Sequence, residues 1–565
     1  MSDMPVQAGP SAIPSPSRRM FPSSDRFIPK PERVFVNRNL RFSQVGVIGF
    51  DLDHTLAHYD ALPIEKLAFE MTKRKLVEKK GYPRDILRFR YDPEFVVRGL
   101  VVDKLRGNLI KMDYFRYVAR ATHGTRKIES DDRNRIYNER SPRFSGDQYV
   151  SVDTLFHLPE VHLYLLLIDF LEGHGKKPDF VAVYQDVREM IDEAHRDGSL
   201  KTVITRNVGN YVRRDPDLPD MLDEFRRAGK KLFLLTNSDW DYSKALLEHL
   251  LETKNSGDSW ESYFDFILVD ARKPLFFMVQ DGPVAPTVLK SETGVPAFSG
   301  GNAAFLEKEI GIGGEQVLYF GDHTYGDILR SKKSLGWRTA MIVPEVAREV
   351  EISQKVAKQF TALERLAHKH DQLEIDKAAL GREWSRLAAG LAVEDGEDGY
   401  AVQILGLYDP RAHKENGPTP AAVPAGKPLQ PGSTALVDGV PATELPARLK
   451  ALLEGTGSGP GGRRTRGDRR RSARLRKLEE LAQQIAELDH RAASLAGRIR
   501  SLRRRVEAEY NPWWGSVFRE GNEASRFGHQ LKDFACVYTA NVCNFLHYPW
   551  NYYFQSPVNV MPHDL

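Results

Sequence analysis

The stretch Val45-Gly46-Val47-Ile48-Gly49-Phe50-Asp51-Leu52-Asp53-His54-Thr55-Leu56 constrains this chain more than any other. Val45 to Phe50 is apolar without interruption, the pattern of a strand buried on both faces of a parallel sheet. Two aspartates follow, two positions apart. Ligands of open parallel sheets bind beyond the carboxyl ends of the strands, where Asp51 and Asp53 fall. In extended backbone, positions i and i+2 point to one side. Two carboxylates held together there repel, unless a cation or a division of labour between an ionised and a protonated acid makes use of them. For D-x-D-x-T alone, the non-functional alternative is a helix cap or turn cluster.

The same signal recurs downstream. Lys231 to Leu235 is an apolar run followed by Thr236-Asn237-Ser238; Phe264 to Val269 is followed by Lys273; Gln316 to Phe320 is followed by Gly321-Asp322 and Asp327; Thr339 to Val343 ends at Pro344. Met221 to Ala228 has helical spacing and stops at Gly229, a good C-cap. Strands alternating with helices predict an α/β fold with a doubly wound parallel sheet. Residues 31–56 and 220–350 supply this core. Residues 57–219, inserted after the first motif strand, read as a cap domain that closes over the strand ends and excludes water. Near-heptad apolar spacing in 351–390 and in 478–508, from Leu478 to Val506, predicts a coiled-coil hairpin.

The flanking segments differ in composition. Residues 1–30 are rich in Pro and Ser and read as a disordered arm, while Arg33 to Arg38 is apolar enough to dock on the body. Residues 409–477 read as a flexible, low-complexity insertion, with a short helix at 445–453 and a basic end. That end, Arg463 to Lys477, holds nine Lys or Arg and one Asp. No aromatic side chain is interleaved to stack on bases, so a solvated helix lead-in is favoured over a nucleic-acid contact. The aromatic-rich segment 509–565 is expected to pack on the core and to offer an oligomer contact. A net charge of +4, with 41% apolar and 28% charged residues, is ordinary for a globular protein. Cys536 and Cys543 show no metal-knuckle spacing and read as two buried thiols. There is no apolar run of about 20 residues to span a bilayer and no apolar signal region at the start. The expectation is a cytoplasmic protein without membrane contact.

Taken in order, Asp51/Asp53, Thr236/Asn237/Ser238, Lys273 and Asp322/Asp327 resemble the four motifs of the haloacid dehalogenase (HAD) superfamily, whose members are mostly phosphatases. Each residue type has a job in phosphoryl transfer, which needs an in-line nucleophile and compensation of equatorial charge. Asp51 is the candidate nucleophile, through an aspartyl-phosphate. Asp53 is the candidate general acid, then base. The Thr236 hydroxyl and nearby N–H groups, with Asn237 and Ser238, would hold phosphoryl oxygens, and Lys273 would anchor phosphate. Asp51, a backbone carbonyl of Asp53 and Asp322 would form a hard oxygen site for Mg²⁺, with Asp327 supporting it.

Longer strings are more specific. Arg33-Val34-Phe35-Val36-Asn37-Arg38, Gly107 to Asp113, Thr236-Asn237-Ser238-Asp239, Ala271 to Phe277, Gly321-Asp322-His323, Gly326 to Leu329, Gly336 to Thr339 and the tail from Asn544 resemble the cytosolic purine 5′-nucleotidase family. The resemblance implies a Mg²⁺-dependent hydrolase of purine nucleoside 5′-monophosphates of IMP/GMP type, with phosphotransfer to nucleosides, a nucleotide effector at a second site near Lys332 and Lys333, and a homo-oligomer, dimer or tetramer. It also implies that Arg188, Asp192, His195 and Lys201 lie near the bound nucleoside; an exposed helix face is the plain alternative for these four. The family places a base-stacking aromatic and an Asn after a His-Gly pair. Here Thr125-Arg126-Lys127 follows His123-Gly124, which leaves the Arg126 guanidinium as the candidate to stack. Two other functions compete: a HAD phosphatase for another small phosphate ester, and a non-catalytic coiled-coil scaffold.

Overall fold

The computed structural model describes residues 28–139, 146–251, 259–278, 286–395, 436–437, 440–441 and 466–557. Residues 1–27 of the arm, most of the 409–477 insertion with its expected short helix, and the end of the tail lie outside the described residues. The chain divides into two compact units: the residues up to Gln354 together with those from Ala508 onward, and Lys355–Glu507.

In the first unit, strand β1 (Phe35–Val36) precedes β2 (Val47–Phe50). The chain then builds an inserted layer: α1 (Ala61–Lys80), β3 (Val101–Asp103), β4 (Asn108–Met112), β5 (Val118–His123), β6 (Arg126–Lys127), β7 (Tyr149–Ser151), α2 (His157–Gly173), α3 (Phe180–Arg196) and α4 (Ser199–Arg206). It returns through α5 (Leu218–Arg227), β8 (Lys231–Leu235), α6 (Trp240–Leu251), β9 (Phe266–Val269), β10 (Thr287–Leu289), β11 (Ala297–Ser299) and α7 (Ala303–Ile310). Then come β12 (Val317–Gly321), α8 (Arg330–Leu335), β13 (Arg338–Ile342) and α9 (Glu345–Lys355). The two long helices α10 (Ala357–Asp395) and α11 (Arg466–Tyr510) follow, and after them α12 (Arg526–Phe534) and β14 (Val537–Thr539).

Nine strands form the main sheet in the order β1-β14-β13-β12-β2-β8-β9-β11-β10. Neighbours from β14 through β11 run parallel, and only the edge pairs are antiparallel. The doubly wound parallel sheet expected from the sequence is therefore present. All four residues of β2 are buried, as a central strand requires. Phe50 stands opposite Leu234 and Phe320, so β2, β8 and β12 end level and their following residues share one rim. Strand limits differ from the sequence expectation by one or two residues, where apolar runs outlast the ladder bonds. Strands β10 and β11 were not expected. They are three residues each, and β10 lies at the sheet edge with Val288 74% exposed, so neither length nor pattern announces them.

One apolar cluster gathers Phe50, Phe225, Phe320 and Phe545 on one face of the sheet; another gathers Phe233, Tyr319 and Trp337. Each such side chain contributes about 1.5–3 kcal/mol on burial. The inserted layer carries a five-stranded antiparallel sheet and a cluster of its own around Phe69, Leu163, Leu167 and Trp514. The C-terminal segment does more than pack: it adds β14 between β1 and β13. The buried Lys111 ammonium holds the segment down, donating to the carbonyls of Trp514, Ser516 and Arg519 at 2.7 Å each. In the second unit, Leu373 of α10 packs with Ala492 and Leu495 of α11, and Lys377 Nζ lies 3.1 Å from Asp489 Oδ1. Arg466 to Lys477 of the basic run is the first part of α11. Both cysteines are buried and free. Among the described residues, no helix is long and apolar enough to cross a membrane.

Candidate active site

The level ends of β2, β8 and β12, with the loop after β9, converge on one cavity of about 590 Å³. Asp51 leaves β2 with its N–H still bonded to Phe320 O at 2.9 Å, so the sheet itself orients the first carboxylate. Asp53 is held on both oxygens: Tyr59 Oη donates to Oδ1 at 2.5 Å and Ser238 Oγ to Oδ2 at 2.8 Å. Tyr59 in turn meets Tyr242 Oη at 2.8 Å.

Lys273 is brought in by a turn after β9 in which Asp270 and Arg272 take positive φ angles of 51° and 57°. Non-glycine residues hold this conformation only where their surroundings over-determine it. Here the Asn237 amide clamps the loop, accepting from Lys273 N at 2.6 Å and donating to Lys273 O at 3.1 Å. The Lys273 ammonium then sits 2.7 Å from both Asp51 Oδ1 and Asp327 Oδ1, and 3.0 Å from Tyr319 Oη. Burial works against its charge, but Asp327 and Asp51 outweigh that and hold its pKa above the ordinary lysine value.

Asp322 follows β12, and Asp327 lies in the helical turn Thr324–Leu329. Oxygens of Asp51, Asp322 and Asp327 come within 4.8 Å of one another. Burial raises the Asp51 pKa, Lys273 opposes this, and the other three aspartates add to the rise. Asp322 is pushed up to about 7 by burial, against the downward pull of Arg98 and with the push of Asp327. Its Oδ2 is buried without a hydrogen-bond partner. Three buried acids with one such free oxygen fit a hard divalent cation, which takes oxygen ligands and removes the like-charge penalty. Asp327, expected only to support this site, stands in the cluster itself.

The inserted layer supplies the opposite wall. Arg188, Asp192 and His195 share one face of α3, at i, i+4 and i+7. All three line the cavity, as does Lys201 from α4. Arg188 donates to Glu160 Oε2 at 2.8 Å and pairs with Asp192 Oδ1 at 3.2 Å. Lys201 is ion-paired with Asp239 and lies 5.1 Å over the Tyr242 ring. Burial lowers the His195 pKa, with Lys201 assisting.

Two of the expected residues lie off the cavity wall. Thr236 is fully buried and absent from the cavity wall; its hydroxyl accepts from Ser238 N at 3.0 Å and so shapes the loop from beneath, leaving Asn237 and Ser238 on the wall. Arg126 is also away from the cavity. Its guanidinium is engaged by Asp169 and Glu172, and His123 by Asn108 and Glu172. Aromatic side chains on the wall are Phe156, Tyr242 and Tyr325; the Phe156 ring lies 4.5 Å from that of His54 and 6.1 Å from that of His195. Phe156, His157, Glu160 and Tyr242 line the cavity too and were not expected from the sequence. Phe156 and Glu160 stand at the start of α2, where the Pro159-Glu160 pair breaks the apolar pattern just as the helix enters the site. The segment carrying Lys332 and Lys333 forms α8, with Lys332 Nζ donating to the carbonyls of Asp533 and Phe534.

The sequence model of the 5′ nucleotidase family matches residues 34–397 and 463–565. Similar curated proteins include 5′-nucleotidase domain-containing protein 2 of Rattus norvegicus, 31% identical over 344 residues, covering 57% of this chain and 61% of that protein. The human protein of the same name is 30% identical over 344 residues, covering 57% and 65%. A 5′-nucleotidase domain-containing protein of Dictyostelium discoideum is 29% identical over 357 residues, covering 60% of each chain. The chain thus spans somewhat under two thirds of the length of these relatives. The resemblance read from the motif strings holds at the level of the family. With most of its length matched, on both sides of residues 398–462, this chain belongs to the 5′ nucleotidase family.

Proposed function

We propose that the chain is a Mg²⁺-dependent 5′-nucleotidase that hydrolyses purine nucleoside 5′-monophosphates, of IMP/GMP type, through an aspartyl-phosphate on Asp51. The observation that carries this reading is Lys273 bridging Asp51 and Asp327 at the floor of a cavity whose wall bears Phe156, Arg188 and Asp192. The cavity volume of about 590 Å³ lies within the range of small-molecule sites.

An Asp51 oxygen attacks phosphorus and the P–O5′ bond breaks. Asp53, oriented by Tyr59 and Ser238, gives its proton to O5′ of the leaving nucleoside. It then takes a proton from the water that cleaves the aspartyl-phosphate, releasing phosphate and restoring both acids. A nucleoside hydroxyl in place of water gives phosphotransfer by the same step. Lys273 and the N–H groups around Asn237 and Ser238 compensate the phosphoryl oxygens. Asp51, Asp322 and the backbone carbonyl of Asp53, with Asp327 in the same acidic cluster, would hold Mg²⁺, which supplies further neutralisation of phosphoryl charge when bound. On the opposite wall Phe156 offers a ring face for base stacking, while Arg188, preset by Glu160, offers donors to a purine O6/N7 edge. A cytoplasmic location, a nucleotide effector and a homodimer or tetramer complete the proposal on family grounds.

Phosphate release from nucleoside monophosphates and sugar phosphates, with Mg²⁺, tests the reading in wild type and Asp51→Asn. Asp51-dependent turnover of IMP and GMP well above pyrimidine nucleotides and sugar phosphates is expected. Turnover confined to esters without a base would overturn the substrate assignment, and absence of Asp51-dependent turnover would overturn the enzyme.

A further inference from the structure

Arg98 lies in the inserted layer, in the loop entering β3, yet its side chain is fully buried against the core of the site. Its Nε donates to Glu345 Oε1 at 2.7 Å and its Nη2 to Glu345 Oε2 at 2.5 Å. Nη1 donates to the main-chain carbonyl of Asp322 at 3.0 Å and stands 4.0 Å from Asp322 Oδ2. The guanidinium lies 5.2 Å over the Phe527 ring. The next residue, Gly99, has φ +88°, and a Cβ there would meet Phe527 Cβ at 2.4 Å, so only glycine brings the loop this close. One planar fork therefore ties three segments together and leaves Asp322 Oδ2 unbonded.

We propose that Arg98 is a positioning residue for the divalent-cation site: from the inserted layer it clasps the Asp322 main chain and aims that carboxylate at Asp51 and Asp327. The inference rests on the cation-dependent reading above. Its distinguishing feature is a sign. Arg98 is a positive charge near a cation site, so on electrostatics alone its removal tightens cation binding. If Arg98 acts by positioning, its removal weakens binding. Glu345 offsets the Arg98 charge, so removing both leaves the local net charge unchanged while the clasp is lost.

The test is Mn²⁺ titration of the full chain without substrate, followed by electron paramagnetic resonance, with thermal unfolding in parallel. The proteins are wild type, Asp322→Asn, Arg98→Gln, and Arg98→Gln combined with Glu345→Gln. Wild type is expected to bind Mn²⁺ at a site lost in Asp322→Asn. Arg98→Gln should weaken it about 10-fold or more, the scale of lost outer-shell partners. The double variant should regain stability, because Glu345 no longer stands as an unpaired charge, but not affinity. Unchanged or tighter binding in Arg98→Gln, or affinity returning with stability in the double variant, overturns the proposal. If Arg98→Gln does not fold, wild-type affinity in the double variant overturns it and weakened affinity upholds it. If wild type itself has no Asp322-dependent site, the cation-dependent reading falls and this inference with it.

Discussion

Gly49 sits at the centre of β2, two residues before Asp51, and its replacement by alanine probes how tightly the sheet face sets the site. A Cβ at this position would lie 2.0 Å from Phe233 Cζ, 2.4 Å from Cε2 and 2.6 Å from Cε1. The ring must move, and it has little room. Phe233 is 1% exposed, stacked on Tyr319 at 6.2 Å and edge-on to Trp337 at 5.9 Å. Tyr319 Oη in turn meets Lys273 Nζ and donates to Leu235 O, so displacement passes toward the site. Overpacking of this kind costs about 1–3 kcal/mol, offset by roughly 0.5–1 kcal/mol because alanine is better than glycine within a strand. Gly49→Ala should therefore lose about 1–2 kcal/mol. Phe233→Leu removes the three ring carbons that the new methyl meets, and alone should cost about 1–2 kcal/mol through the cavity it leaves. If the clash is the cause, the double variant is more stable than the sum of the singles by at least about 1 kcal/mol. Urea unfolding followed by tryptophan fluorescence measures all four proteins. A neutral Gly49→Ala, or singles that add within about 0.5 kcal/mol, would refute the reasoning.

Three further outcomes follow from the geometry. Glu65, held by Tyr91 Oη at 2.9 Å, is pushed up to about 7 by burial, with Glu345 adding to the rise and the Tyr91 bond opposing it. The folded state thus binds the extra proton: this stability is full below about pH 4.5, falls by about 3 kcal/mol as pH rises and is gone above about 7. Glu65→Gln should unfold later than wild type at pH 8, with the gap closing at pH 5; equal gaps at both pH values would count against it. Tyr59→Phe removes a donor to the Asp53 carboxylate, a bond type contributing about 1.5–3 kcal/mol, so kcat should fall about 10-fold or more with KM nearly constant. Phe156→Ala should raise KM for nucleoside monophosphates by the roughly 1–3 kcal/mol of a base–aromatic stack, while turnover of ribose 5-phosphate stays unchanged; equal loss on both substrates would remove Phe156 from the base site.

Much of the cavity floor was legible in the chain. Apolar runs ending in Asp51, Thr236, Lys273 and Asp322 are local patterns, and the rule that ligands meet parallel sheets at strand ends turns them into one rim. Legibility ended where a residue's role depends on a partner distant in sequence. Phe156 carries no periodic signal, because the wall it occupies exists only once the inserted layer closes over the core. Strand β14 is three residues long, and only the neighbouring β1 and β13 make it part of the sheet.

The parallel α/β core, the order of the acidic motifs and the family are each written in consecutive residues, whose burial and spacing follow from backbone geometry. Tertiary structure alone decided how those charges are shared. Lys273 reaches across to Asp51 and Asp327, Arg98 reaches from the inserted layer to Asp322, and Glu160 presets Arg188. Buried charges are stable only with partners close at hand; which partners those are depends on segments from 28 to 224 residues apart meeting in one place.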